Sequence, residues 1–470
     1  MDLDVVREFR GLKLGDWRRE WRVRSVVEAL QVRPAESFPK AMATRARREA
    51  FYRLMENEAV TFAALFAPHA AKTAERCAEH KTVLVVHDTT KFSFKGEGRS
   101  GLGKINSAGQ GFLGHFSIAV SADGKREPLG ALAVQTWSRP ERGVSTQRRK
   151  EGLSRAEARK SKRESMKWHE GVTAAEKQLG DTRAAAIHVM DSEGDDYLTF
   201  ALLAEKKQRF VVRGYHDRLM QDALGQTSKV KEFVATSTIQ AKRSVKLSPR
   251  KKQLFQQKSR RRAQPREGRE AQLAIRAQHV DVRRPTYVKD DVPKTLALNV
   301  IHVREMDPDV LEPVDWLLYT TEPIETQADI LRIVDFYRAR WIVEEFFKAL
   351  KTGCAFEKRQ LESMHTLENA LALLIPMAWG LLRLRVLARE HPELSATEVL
   401  TPTQITILRR KKLLSTSKPS AQQAMLAVAA LGGHILANGS PGWMVLGRGY
   451  EDLLMLEAGF LLASARSDQS

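Results

Sequence analysis

The order of apolar and polar positions along this 470-residue chain changes character as it proceeds. Over the first seventy or so residues Val26, Val27 and Leu30 recur at helical spacing, which predicts arginine-rich helices. Pro34 and Pro39 mark breaks between them. From Thr82 the period changes, and the continuous apolar run Val83-Leu-Val-Val86 predicts a buried central strand ending at His87-Asp88. Phe116–Val120 and Leu132–Thr136 predict two more strands, with Ser121-Ala-Asp-Gly124 as a turn between them. After a polar, basic stretch from Arg142 to Lys167, a helix is predicted from Lys167 onward. A strand over Ala184–Met190 then ends at Asp191, followed by a helix near Tyr197–Lys206 and a strand over Arg209–Arg213. Strands first, then helix and strand in alternation, argue for an α/β layer fold with a mixed sheet.

The segment from Gly214 to about Asp315 interrupts that rhythm. Lys242, Arg243, Lys246, Arg250, Lys251, Lys252, Lys258, Arg260, Arg261, Arg262, Arg266 and Arg269 make its first half strongly basic. A β-like run follows at Thr295–Val303 and another at Trp316–Thr321. We read an inserted β-subdomain carrying a basic loop; a disordered loop is the competing reading. A long helix is predicted from Gln327 through Lys351, stopping at Thr352-Gly353. Leu367–Leu387 and the chain from Ser395 onward read as apolar helices, broken at Pro441-Gly442-Trp443. Asn369, Arg383 and Arg385 interrupt the first of these, so it reads as a core or partner-facing helix. No uninterrupted apolar run reaches the roughly 18–20 residues of a membrane span. Met1 to Arg10 is charged throughout and lacks a signal-peptide core.

Composition narrows the partner. Lys and Arg number 77 against 57 acidic residues, a net charge of +20. That excess points to a polyanion, foremost nucleic acid, because counterion release drives such binding. A merely soluble basic protein is the alternative. Hydrophobic residues make up 43%, enough for real cores. Cys77 and Cys354 lie far apart and imply neither a zinc knuckle nor a disulfide framework, which fits a reducing, cytoplasmic setting.

Candidate chemistry starts with the two aspartates expected at strand ends, Asp88 and Asp191. A carboxylate there sits at the mouth of an α/β sheet, where ligands bind. Such carboxylates suit hard divalent cations, and a third from a helix would let them hold two ions about 3.5–4 Å apart. Either aspartate alone more often caps a turn. At about 100° per residue, Tyr337, Arg340, Glu344 and Lys351 fall within an arc of roughly 60° of the long helix, with Trp341 and Lys348 extending the face. Phe336, Ile342, Val343, Phe346, Phe347 and Leu350 occupy the rest. A salt-bridged surface face is the plain alternative, but it accounts poorly for Tyr and Trp among the charges. Gly101-Leu-Gly103 lacks the partners of a nucleotide loop, and His87 is expected on the opposite side of its strand from Asp88.

These motifs resemble those of insertion-sequence transposases of the DDE type, in the subfamily with a Tyr-Arg-Glu-Lys signature. The matching stretch is Tyr337-Arg-Ala-Arg340-Trp-Ile-Val-Glu344-Glu-Phe-Phe-Lys-Ala-Leu-Lys351-Thr-Gly353. Asp88-Thr89-Thr90 and Asp191-Ser-Glu-Gly-Asp195 resemble the two aspartate motifs. Leu14-Gly15-Asp16-Trp-Arg18-Arg19 resembles the end-recognition region, and Glu164-Ser-Met-Lys167-Trp168 is also similar. The resemblance covers nearly the whole chain and is weak over Arg218–Asp290. It implies a ribonuclease H-like mixed-sheet catalytic core (76–365) with a basic β insertion (214–315). A helical end-binding domain (1–75) and a helical dimerisation domain (366–470) would flank it. The implied cofactor is a pair of Mg²⁺ ions, with Mn²⁺ as a substitute, held by Asp88, Asp191 and Glu344. The implied partners are double-stranded DNA and a second copy of the chain. Tyr337, Arg340, Arg213 and Lys351 would contact phosphate, Trp316 would stack on a flipped base and Trp341 would wedge the duplex. Arg18 and Arg19 would read the transposon end. A catalytically dead DNA-binding inhibitor and a nuclease of branched DNA are the rival readings.

Overall fold

A computed structural model describes residues 5–32, 36–106, 109–139, 166–180, 182, 184–222, 225–247, 267–307, 309–310 and 312–467. Pro34, Glu164, nearly all of the basic stretch from Arg142 and the run from Arg250 to Arg266 lie outside these residues. The chain divides into two compact units, one made of Met1–Ala185 with Trp341–Ser470, the other of Ala186–Arg340.

In the first unit a 3₁₀ turn at Val5–Phe9 leads into α1 (Trp17–Val32), α2 (Phe38–Ala41), α3 (Arg45–Glu56) and α4 (Phe62–Ala78). The hydroxyls of Thr44 and Thr61 accept from the first free amides of α3 and α4, the usual way a helix start is satisfied. Val23, Val26, Val27 and Leu30 form the buried side of α1, as their spacing predicts.

Next come β1 (Thr82–Phe94), β2 (Gly103–Asn106), β3 (Gly109–Ser121) and β4 (Pro128–Trp137). β1 and β3 run antiparallel from Val83 opposite Ser121 to Phe94 opposite Gln110, and β4 lines the other side of β3. Here the structure corrects the sequence reading, because β1 does not end at Asp88. It runs six residues further, with Asp88 mid-strand opposite Phe116. The polar residues after Asp88 hide a period of two: Phe92 and Phe94 point inward onto Phe112 and Phe356 and keep the strand going. Helix α5 (Lys167–Leu179) then packs on β3 and β4.

The second unit holds β5 (Ala185–Met190), α6 (Tyr197–Glu205), β6 (Arg209–Arg213), β7 (Leu219–Gln221), β8 (Thr227–Lys229) and α7 (Val230–Ala235). β9 (Ala241–Leu247), β10 (Arg269–Arg283), β11 (Thr295–Glu305), β12 (Asp315–Thr320) and α8 (Gln327–Ala339) follow. β5 and β6 are parallel. From β6 the sheet continues antiparallel through β12, β11 and β10, which carries β7 and β9 on its far edge. The parallel pair within an otherwise antiparallel array makes this a mixed sheet. Phe200 of α6 stacks on Phe210 and meets Tyr319, covering one face.

The remainder of the first unit is helical: α9 (Trp341–Lys348), a π-turn at Ala349–Gly353, α10 (Met364–Glu390), α11 (Pro402–Arg410), α12 (Ala421–Leu431) and α13 (Trp443–Ser467). The single helix expected from Gln327 to Lys351 is therefore interrupted. Arg340 donates its amide to the Tyr337 carbonyl in a tightened turn, and Cys354 reaches back five residues to Ala349. A three-residue turn and a five-residue one leave the sequence period almost unchanged, so periodicity does not reveal them.

By length and composition alone α10 could cross a membrane, although, as expected, no uninterrupted apolar run in it reaches a membrane span. It is nonetheless a core helix, almost wholly buried inside its own unit. Its polar residues hold neighbouring backbone: Asn369 Nδ2 donates to the carbonyls of Met55 and Val60, and Trp379 Nε1 to that of Pro128.

Candidate active site

In the first unit Asp88 is half-buried, and one carboxylate oxygen accepts the Thr89 amide at 2.7 Å. Strand alternation sends His87 and Thr89 to the other face, as expected for His87. His87 Nδ1 lies 3.0 Å from Ser117 Oγ, and His115 Nδ1 lies 2.9 Å from Thr89 Oγ1. The two imidazoles stack at 5.8 Å, and Trp168 meets His115 edge-on. Helix α5 comes this close only because Gly171 has no side chain; a Cβ there would stand 2.8 Å from His115 Nε2. Burial, with the nearby Lys167 charge, pushes His115 down to about 3, so it stays neutral. The pair is a floor beneath the Asp88 strand.

α9 packs on β1, with Phe346 and Phe347 against Phe116. Its two adjacent glutamates differ. Glu345 accepts from Trp443 Nε1 and Lys348 Nζ, which fastens α9 to the C-terminal helices. Glu344, about 100° around the helix, is half-buried on a different side. Lys351 Nζ donates to the Lys91 carbonyl at 2.6 Å and lies 3.8 Å from Glu357, so it is anchored along β1 three residues past Asp88. Burial lowers the Lys351 pKa against the pull of Glu357.

In the second unit Asp191 follows β5 directly, as predicted, and its side chain caps the 3₁₀ turn Ser192–Gly194 through the Glu193 amide. Asp195, from the same motif, is structural. It is buried and accepts from the amides of Tyr215 and His216 and from Arg218 Nε. Tyr337 is buried beside Arg213, which hydrogen-bonds it, and feels the charges of Arg340 and Asp191. Burial raises its hydroxyl pKa although both arginines pull the other way. Trp316 is half-buried and meets Tyr337 edge-on at 5.4 Å. Thus Asp191, Arg213, Trp316, Tyr337 and Arg340 form one neighbourhood.

The open polar face expected for the signature row is corrected. Tyr337 and Arg340 are buried, Glu344 and Lys351 half-buried, while Trp341 and Lys348 are exposed. Long or aromatic side chains bury their bodies and offer only their tips. The basic loop is corrected in part as well. Lys242, Arg243 and Lys246 lie on β9 and Arg269 begins β10, where Arg243 pairs with Asp335 and Arg269 with Glu305. Ala241 and Val245 alternate inward, which leaves Lys242 and Lys246 exposed. At the N-terminus Arg18 is exposed, but Arg19 turns inward and donates to the Leu14 carbonyl at 3.2 Å. The sequence reading passed over Trp17 and Trp21 as a pair, although they lie on the side of α1 opposite its apolar stripe.

Among the described residues, no three His, Cys, Asp or Glu side chains are gathered as a metal-binding group. Asp88, Asp191 and Glu344 offer only hard oxygen donors. That chemistry fits Mg²⁺, which is commonly held by one or two carboxylates plus water.

Residues 5–60 match the family model described as transposase DNA-binding, and residues 172–379 the model described as transposase DDE domain. The chain carries the two domains of a DDE transposase. The DNA-binding match takes in Arg18, Arg19 and the whole of α1 and α3; the DDE match takes in Asp191, Arg213, Trp316, Tyr337, Glu344 and Lys351. Asp88 precedes the second span. A DDE transposase domain acts on DNA with divalent metal ions.

Proposed function

We propose that this transposase works by cut and paste and belongs to the Tyr-Arg-Glu-Lys subfamily, with a ribonuclease H-like core. Asp88, Asp191 and Glu344 serve one reaction centre. It nicks the transposon end, uses the freed 3′-hydroxyl to form a hairpin on the opposite strand, reopens it and joins the 3′ ends to target DNA. The observation that carries this reading is the Asp191 neighbourhood: a carboxylate shares its surroundings with Arg213, Tyr337 and Arg340, a group suited to a phosphate diester. Two divalent ions bound by the carboxylates would activate the attacking oxygen and stabilise the leaving oxygen. Tyr337, Arg213 and Arg340 orient the scissile phosphate, and holding it in line is the larger part of such catalysis. Lys351, fixed on the Lys91 carbonyl, directs its remaining N–H bonds at backbone phosphate. Trp316 stacks on a flipped base and Trp341 wedges the duplex. Residues 1–75 read the end, with Arg18 and Arg19 contributing, and residues 366–470 pair two copies in the DNA complex. The protein works in the bacterial cytoplasm, at the nucleoid.

The test incubates the protein with Mg²⁺ and a duplex bearing the inverted repeat that flanks its gene. Hairpin-ended products are expected. Asp88→Ala, Asp191→Ala and Glu344→Ala should each abolish cleavage and leave end binding largely intact, because affinity comes mainly from basic contacts. A Glu344→Ala protein that nicks near the parent rate would falsify the assignment.

A further inference from the structure

Trp17 and Trp21 stand one turn apart on α1 and are 69% and 59% exposed. They lie on the side opposite the buried Val23, Val26, Val27 and Leu30, so neither ring serves the core. Tryptophan is costly to leave in water and is enriched where a surface is later covered. The Arg18 guanidinium lies 5.9 Å from the Trp17 ring and that of Arg22 lies 5.6 Å from the Trp21 ring. The other outward arginine of this helix, Arg24, is spent on Glu28 at 3.0 Å. Arg18 and Arg22 have no carboxylate within salt-bridge distance among the described residues. The ridge therefore alternates flat aromatic surface with uncompensated positive charge, inside the span that matches a transposase DNA-binding domain.

We infer that Trp17, Arg18, Trp21 and Arg22 form a ridge that docks on duplex DNA, the arginines on phosphates and the indole rings on apolar base edges in the groove. This rests on the reading of residues 1–75 as the end-binding segment and adds how that segment discriminates sequence. Charge complementarity selects DNA over a protein partner. In the major groove the apolar group open to an indole is the thymine methyl, so the rings carry specificity while the arginines carry general affinity.

The test uses the full-length protein, a duplex with the terminal inverted repeat flanking the gene, and a random duplex of equal length. Both rings are exposed, so alanine leaves no internal cavity, and unchanged thermal melting of the variants checks this. W17A/W21A should lose tenfold or more in affinity for the end duplex and little for the random one, with W17F/W21F recovering part of the loss. R18Q/R22Q should weaken both duplexes alike and lower the slope of log affinity on log salt by about 2, near 0.9 per phosphate contact. Replacing thymine by uracil throughout the end duplex should weaken the parent and leave W17A/W21A unchanged. W17A/W21A binding the end duplex like the parent overturns the ridge while the end-binding reading stands. The same result with loss of self-association makes the ridge a protein contact instead. A parent that binds both duplexes alike sinks the end-binding reading, and the ridge with it.

Discussion

At the scale of single residues, two side chains repay attention for opposite reasons. Trp316 is only half-buried and meets Tyr337 in a T-shaped contact, so part of its side chain reaches solvent. Forming a hairpin demands a sharp bend, which a flipped base relieves at the cost of unstacking, and an aromatic face offsets roughly 1–3 kcal/mol of that cost. Trp316→Ala should therefore slow hairpin formation about tenfold or more relative to first-strand nicking, with Trp316→Phe close to the parent. Equal slowing of both steps in a strand-resolved cleavage assay would make Trp316 ordinary packing. Glu8, by contrast, works for stability. It is buried and lies 2.6 Å from His69 Nδ1 and 2.8 Å from Arg76 Nη1. His69 Nε2 accepts the Ala131 amide, so the ring is neutral with its proton on Nδ1, facing Glu8. Burial opposes the Glu8 charge, but His69 and Arg76 overcome it and hold the carboxyl at about 2. A folded pKa below the unfolded one gives stability that is complete above the unfolded value and lost as pH falls toward the folded one. The window runs from about pH 5 down to about 2. Urea midpoints should show Glu8→Gln much less stable than the parent at pH 6, with the gap narrowing as pH falls below about 5 and closing only as it approaches about 2. A constant gap would mean that the charge is not what matters.

At the scale of elements, the crossing of α12 and α13 rests on glycine. A Cβ on Gly449 would sit 1.8 Å from the Val428 carbonyl oxygen, and one on Gly432 would sit 2.1 Å from that of Val445. Alanine at position 449 would gain about 1 kcal/mol of helix propensity, yet overpacking of this kind costs about 1–3 kcal/mol and more where backbone is the obstacle. The clash wins, so Gly449→Ala should lower the thermal midpoint; an unchanged or higher midpoint would mean that the helices separate freely. Glycine in an otherwise helical stretch was visible in the sequence, but its close neighbour was not. The same divide runs through the rest of the fold. Strands β5 and β6 and helix α5 were legible because an apolar run or a clean period carries its own boundaries. The extension of β1 past Asp88 was not, because Thr89, Thr90 and Lys91 interrupt the apolar run while Phe92 and Phe94 continue the alternation. The break at Arg340 was hidden because the Tyr337-to-Lys351 row keeps its sequence period across it. For the candidate site, the signature spacing names candidates, whereas their burial could not be read from it. That Glu345 is tied to Trp443 depends on a contact 98 residues away, which no local pattern encodes.

At the scale of the whole molecule, a net charge of +20 is set against the few carboxylates that the proposed reaction centre would bring to the same polyanion. Binding and cleavage should therefore separate cleanly. With EDTA present, the end duplex should be retained on the basic surface and no strand cut, since phosphate contacts need no metal whereas in-line displacement here does. On the proposed reading, Asp88, Asp191 and Glu344 would face the phosphates as bare negative charges when cations are absent. Two like charges at 4 Å repel by about 1 kcal/mol even in bulk water, equivalent to about a fivefold change in affinity. Glu344→Gln removes one such charge and keeps the shape of the side chain. In EDTA it should bind the end duplex several times more tightly than the parent, and Mg²⁺ should erase most of that difference by neutralising the parent's carboxylates. The salt slope should be nearly the same for both proteins, because the arginine and lysine contacts are untouched. Titrations of a labelled end duplex, with EDTA and then with Mg²⁺, measure all three quantities. If Glu344→Gln and the parent bound equally well in EDTA, Glu344 would not lie against the DNA backbone, and its role in cutting would have to be withdrawn.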